Sequence, residues 1–255
     1  MTQAIQKKLN DSAFARWTAL ILVALTMFFG YMFVDVLSPL QNMLESTRGW
    51  SPTIFGLYGG SEFILNVCGF LLVAGIILDK MGVRFTGILS ASLMVLGAGI
   101  KFYGLSNYFY EGGFGYEFLS SFLTDIPASA KLACLGFMVF GCGTEMAGVT
   151  VSRAIVKWFT GKELALAMGL EMAIARLGVF AVFSLSPWVA NWGGDPSVAR
   201  PVAVVGLLLC IGLLTYIAFS VMDFKLDRQT EADTPIGETE EPFKVADLKN
   251  LFSSK

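Results

Sequence analysis

Six stretches of mostly apolar residues, at 17–40, 54–78, 85–104, 132–152, 164–190 and 202–222, take up most of this chain. Each is long enough to cross a bilayer, because a helix rises about 1.5 Å per residue and the hydrocarbon layer is about 30 Å thick. With 55% hydrophobic and 15% charged residues and a mean hydropathy of +0.66, the chain is too apolar to clothe a water-facing surface. The reading is an all-α, polytopic membrane protein: a six-helix bundle over 1–222, then a linker over 223–255 with an amphipathic segment.

Lys7, Lys8 and Arg16 precede the first stretch and give it the look of a signal sequence, but its apolar run is too long and five similar runs follow. It reads as a retained anchor. Glycines such as Gly56, Gly60, Gly141, Gly148 and Gly169 recur within the spans, where small residues let helices approach closely. Orientation comes from the basic residues. Thirteen (Lys7, Lys8, Arg16, Lys80, Arg84, Arg153, Lys157, Lys162, Lys225, Arg228, Lys244, Lys249, Lys255) fall on one side, and four (Arg48, Lys101, Lys131, Arg200) on the other. That asymmetry predicts both termini in the cytoplasm.

Two segments depart from the compact pattern. Residues 105–130 on the outer side are rich in Tyr and Phe, as interfacial loops are, and Phe118, Leu119, Phe122 and Leu123 could face one side of a short surface helix ending near Pro127. The tail begins at Asp223 as a polar, Pro- and Gly-containing stretch. Phe243, Leu248, Leu251 and Phe252 then recur at helical spacing between lysines, a pattern expected of a linker leading to a second half.

The chain contains no histidine, which excludes imidazole bases, Ser-His-Asp and Cys-His sites, histidine-ligated zinc and histidine-held haem. Cys68, Cys134, Cys142 and Cys210 lie singly in apolar surroundings and read as small hydrophobes. No catalytic residue, cofactor or metal is expected. A net charge of −2 argues against a nucleic-acid partner; the partners expected are the lipid bilayer and a small solute.

Charges inside the spans are the most informative residues. A charged side chain at the bilayer centre costs roughly 2.5–3.5 kcal/mol on insertion scales, so one kept there faces a partner or a cavity. Glu145 and Arg176 lie at similar depth on spans running in opposite directions. One reading is a salt bridge that staples two helices. The other is a pair binding the two ends of a small amphoteric solute, with Arg176 taking a carboxylate and Glu145 an ammonium group or a proton. Tyr31, Asn66 and Glu171 are further candidates for the wall of an aqueous path, with Gly141, Gly148 and Ser152 beside them; Glu62 and Asp35 sit in the outer halves of their spans.

Between spans two and three the chain reads Gly75-Ile-Ile-Leu-Asp79-Lys80-Met81-Gly82-Val83-Arg84. Gly75 permits close packing, Gly82 a tight turn, and Asp79 can pair with a cation such as Arg153. This segment is similar, at every specified position, to the G-x-x-x-D-[RK]-x-G-x-R loop of the major facilitator superfamily. The resemblance implies the N-terminal half of a twelve-helix secondary transporter, in which two six-helix bundles rock about a midplane site. It gives Gly75, Asp79, Lys80, Gly82, Arg84 and Arg153 a part in the cytoplasmic gate, and implies a C-terminal half in the same polypeptide or in a second copy.

Phe140-Gly-Cys-Gly-Thr-Glu145, Lys157-Trp-Phe-Thr-Gly-Lys-Glu-Leu164 and Met172-Ala-Ile-Ala-Arg176-Leu-Gly178 are similar to the branch containing a lysosomal dipeptide uniporter. That likeness implies that Glu145 and Arg176 contact the termini of a peptide. The outer loop is longer than the branch leads one to expect, and Glu171 and Arg153 are additional charges. No glycosylation sequon occurs in the outer loops, which points to a bacterial plasma membrane. Transport would be proton-coupled if Glu145 titrates and passive otherwise. The rival is a non-transporting six-helix subunit or scaffold; an intramembrane enzyme would need a nucleophile and base that the sequence does not offer.

Overall fold

The computed structural model describes residues 8–231, and among these no strand occurs. The amphipathic tail expected around Phe243–Phe252 lies outside the described residues. The first long helix, α1 (Ala13–Val34), starts at Ser12, whose side chain accepts from the Ala15 amide. A short helix, Gln41–Arg48, ends on Gly49 at φ 69°, and a second start follows at Ser51-Pro52, where Ser51 accepts from the Ile54 amide.

From Pro52 to Leu105 the chain is apolar and helical over 54 residues. As one rod this would measure about 80 Å, far more than a bilayer. The chain reverses at Gly82, whose φ of 74° and ψ of 174° are not helical. The return is visible in the packing, because the Lys101 ammonium comes back to within 5.0 Å of the Tyr58 ring centroid. We therefore describe residues 52–81 as α2 and 83–105 as α3. α2 is itself interrupted by a π-helical turn at Asn66–Phe70, with Gly69 at φ 107°. The remaining long helices are α4 (Ala128–Phe159), α5 (Leu164–Ala190) and α6 (Ala199–Glu231). Gly161 turns α4 into α5, and Gly193 and Gly194 turn α5 towards α6, all at positive φ.

The helix of α6 continues past Met222 into the stretch read as polar linker. The reason lies in its charges. Asp223 accepts from Lys157 at 2.8 Å and from the Trp158 indole at 2.9 Å, and Asp227 pairs with Arg84 at 3.2 Å. In the outer loop the surface helix is shorter and earlier than expected, Tyr116–Ser120, and Phe122 and Leu123 lie beyond its end, Leu123 at a positive φ.

Close packing of backbones holds the bundle together. A Cβ on Gly97 would lie 2.5 Å from Gly136 O, so α3 and α4 meet there without side chains between them. Gly178 of α5 lies against Phe28 O of α1 in the same way. The Tyr216 ring of α6 fills the space over Gly87 of α3 and donates to Val83 O at 3.0 Å. The outside is apolar: Val67, Leu72, Leu166, Phe180, Leu207 and Leu214 are all exposed, a surface suited to acyl chains and not to water.

Candidate functional site

Where α1, α4 and α5 converge, a cavity of about 170 Å³ opens, lined by Met27 and Tyr31 of α1, Gly148 and Ser152 of α4, and Glu171 and Arg176 of α5. It exists because its walls meet small residues. Gly178, one half-turn beyond Arg176, brings α5 onto the α1 backbone, while Gly148 has open space where a side chain would stand.

The Arg176 guanidinium carbon sits 5.0 Å from the Tyr31 ring centroid. This cation–π contact places the charge over α1, with the side chain exposed on the bundle surface. No ion pair engages Arg176 among the described residues, so its fork of donors remains available to a carboxylate. Glu171 is only 8% exposed and shares the cavity wall, although it stands five residues from Arg176 on the same helix.

Glu145 is half-buried on α4 and is not among the residues lining this cavity; no ion pair joins it to Arg176 among the described residues. It lies within electrostatic reach of Glu62. Asn66 stands away from Arg176, at the interruption in α2, where its amide donates to Glu62 O and Gly141 O, both at 3.3 Å. It ties α2 to α4.

At the basic end of the bundle, Asp79 and Arg153 form an ion pair linking the end of α2 to α4. Gly82 supplies the reversal, Arg84 reaches Asp227 of α6, and Lys157 joins Asp227 at 2.5 Å. Lys80 is exposed and Gly75 has open space before it. A second set of contacts pins the start of the described chain: Arg16 pairs with Glu163 at 3.2 Å and Lys162 with Asp11 at 2.8 Å. A backbone hydrogen bond first, and the Arg16 guanidinium after it, hold the Glu163 carboxyl below its ordinary range.

One cluster escaped the sequence reading. Lys101, counted there as an outer-side charge, is completely buried. Its ammonium lies 4.3, 5.0 and 4.4 Å from the ring centroids of Phe33, Tyr58 and Phe137 and donates to Phe33 O at 3.4 Å, near the C-terminal end of α1. Glu62, also buried, lies within its electrostatic reach. The lysine's place at the end of an apolar span disguised it, since such residues usually extend to the interface.

The long apolar helices and the way they pack define a multi-pass helical membrane protein. The sequence profile described as Major Facilitator Superfamily matches residues 23–255, and the chain belongs to that family. It is similar to the lysosomal dipeptide transporter MFSD1 of Pongo abelii, 25% identical over 248 residues that cover 92% of this chain and 48% of the relative. It is also similar to MFSD1 of Gallus gallus, 32% identical over 47% of this chain and 28% of the relative, and of Bos taurus, 30% identical over 46% and 26%. At most, the chain spans about half the length of these relatives.

Proposed function

We propose that this chain is the N-terminal six-helix half of a secondary transporter that moves a small zwitterionic solute, such as a dipeptide, by alternating access. The observation that carries the reading is Arg176. A guanidinium in mid-span, free of any ion pair among the described residues and held over Tyr31 at a cavity wall, is an arrangement with a use for an incoming carboxylate. Glu145 supplies a second ionic group for the ammonium end. The similarity to dipeptide transporters supports the solute class, and the Asp79–Arg153 pair supports a latch at the cytoplasmic gate.

In this reading a second six-helix half, in the same polypeptide or a second copy, closes the cavity from the opposite side. The protein resides in the plasma membrane with both termini in the cytoplasm. Uptake of labelled alanyl-alanine into proteoliposomes containing the full-length protein tests the proposal. Arg176→Ala and Glu145→Gln are each expected to reduce uptake at least tenfold, and unchanged uptake in either rejects the role given to that residue.

A further inference from the structure

Two apolar furrows flank α3 near its C-terminal end, away from the cavity between α1, α4 and α5. The first, of about 700 Å³, lies between α3 and α4 under the surface helix Tyr116–Ser120, with Leu96, Ile100 and Leu135 as its floor and Phe114, Phe118 and Leu119 as its roof. The second, of about 280 Å³, lies between α3 and α6 and is bordered by Phe102, Gly206 and Leu207. Val95 and Gly99 belong to both, and Gly99 has open space where a side chain would stand. The larger furrow has the volume of a ligand pocket, about 300–1,000 Å³.

The roof is fastened at both ends. The Tyr103 hydroxyl donates to Phe114 O at 3.2 Å, and the Lys131 ammonium donates to Leu119 O at 2.5 Å and to Phe122 O. Tyr103 is the polar side chain of the lining, and its hydroxyl is already engaged, so the furrow offers water nothing to bind. In a membrane-spanning protein such a hollow takes acyl chains. Two furrows that meet at one glycine fit the two chains of a single phospholipid.

Charge selects the headgroup. Between Lys101 and Lys131 the chain carries Glu111, Glu117 and Asp125 and no Lys or Arg. All three acids are exposed, and no ion pair engages them among the described residues. Glu117 adjoins the lining residue Phe118. Lys131 offsets one of these charges and leaves the acids in excess, which repels an anionic headgroup and attracts an ammonium.

We propose that the paired furrows beside Gly99 bind one diacyl phospholipid with an ammonium-bearing headgroup, drawn from the leaflet on the side of this loop. The chains lie on the two flanks of α3 and the headgroup rests beside Glu117. The site is independent of the solute proposed above.

The test uses the full-length protein in vesicles of equal phosphatidylethanolamine and phosphatidylglycerol. Either lipid is supplied as a photoreactive analogue with a diazirine in its acyl chain, and adducts are mapped by mass spectrometry after irradiation. The ethanolamine probe is expected to label the peptides around Val95, Phe118 and Leu135 severalfold more than exposed Leu214 and Val221 of α6. It should also label them about fivefold more than the glycerol probe does, the scale of one charge near a membrane surface. Gly99→Trp should fill the meeting point and abolish the enrichment with labelling at Leu214 unchanged, and Glu117→Lys, on the exposed side of the loop, should erase the headgroup preference. Wild-type furrows labelled no more than α6, or equally by the two probes, overturn the proposal whatever the variants do. Chain-to-chain cross-links through the furrows in place of lipid adducts overturn it as well, and assign the surface to a second copy.

Discussion

Substituting Gly178 with alanine puts a methyl group where α5 touches α1. The added Cβ would sit 2.3 Å from Phe28 O, more than 1 Å short of ordinary contact, and the obstacle is backbone that cannot rotate away. Alanine gains about 1 kcal/mol of helix propensity over glycine, whereas forced overpacking costs about 1–3 kcal/mol. Gly169, on the same helix, has nothing within 4 Å of its would-be Cβ, so Gly169→Ala collects the propensity gain alone. The difference between the two variants therefore isolates the clash. Thermal unfolding in detergent, followed by tryptophan fluorescence, should place Gly178→Ala below Gly169→Ala by about 2–12 °C, taking roughly 2–4 °C per kcal/mol for a chain of this size. Because the α1–α5 approach also positions Arg176 over Tyr31, uptake should fall in Gly178→Ala and persist in Gly169→Ala. Equal melting temperatures would refute the claim that backbone contact at Gly178 sets this approach.

The buried cluster at the other end gives a thermodynamic cycle. Lys101→Met removes a buried basic group within electrostatic reach of Glu62 and is expected to cost about 3–5 kcal/mol, while the Lys101→Met/Glu62→Gln double variant recovers at least about 1 kcal/mol of it; additive losses would show that the two do not interact. Asp79→Asn breaks a partly exposed ion pair and should change stability by only about 0.2–1 kcal/mol while reducing uptake severalfold, so uptake that tracks stability alone would remove the gating role. Glu163 has a depressed folded-state pKa, so its contribution is present above the ordinary glutamate range and is lost as pH falls through the lower folded value. Melting curves of Glu163→Gln should therefore lie below wild type near neutral pH and converge with it once the pH has fallen through that lowered value. A gap that persists in acid contradicts the Arg16–Glu163 contact.

The sequence made the spans legible because long apolar runs carry a strong signal, whereas their breaks depend on single residues. The reversal was readable, since Gly82 sits between Asp79 and Arg84 in a charged loop. The interruption at Asn66–Phe70 was not, because Gly69 lies in an apolar run that looks like uninterrupted helix. The extension of α6 was missed for the opposite reason: Asp223 and Asp227 read as linker polarity until the tertiary contacts with Lys157, Trp158 and Arg84 are known. At the site, depth along a span could be counted, and it brought Arg176 forward. Azimuth was harder to read, because five residues along a helix turn a side chain well away and yet Glu171 and Arg176 border one cavity. Lys101 shows the limit of counting charges by side, since three aromatic rings from three helices enclose it and no local pattern announces them.

The central claim is that the space between α1, α4 and α5 is a wet path used by a solute. Ser152, on the α4 wall, provides the most direct probe. With the four native cysteines replaced, Ser152→Cys in the full-length protein should react with a membrane-impermeant thiol reagent in vesicles, and alanyl-alanine should slow that reaction at least severalfold. A cysteine at 152 that stays inert from both faces of the membrane, or one that reacts at the same rate whether or not the dipeptide is present, would contradict the account.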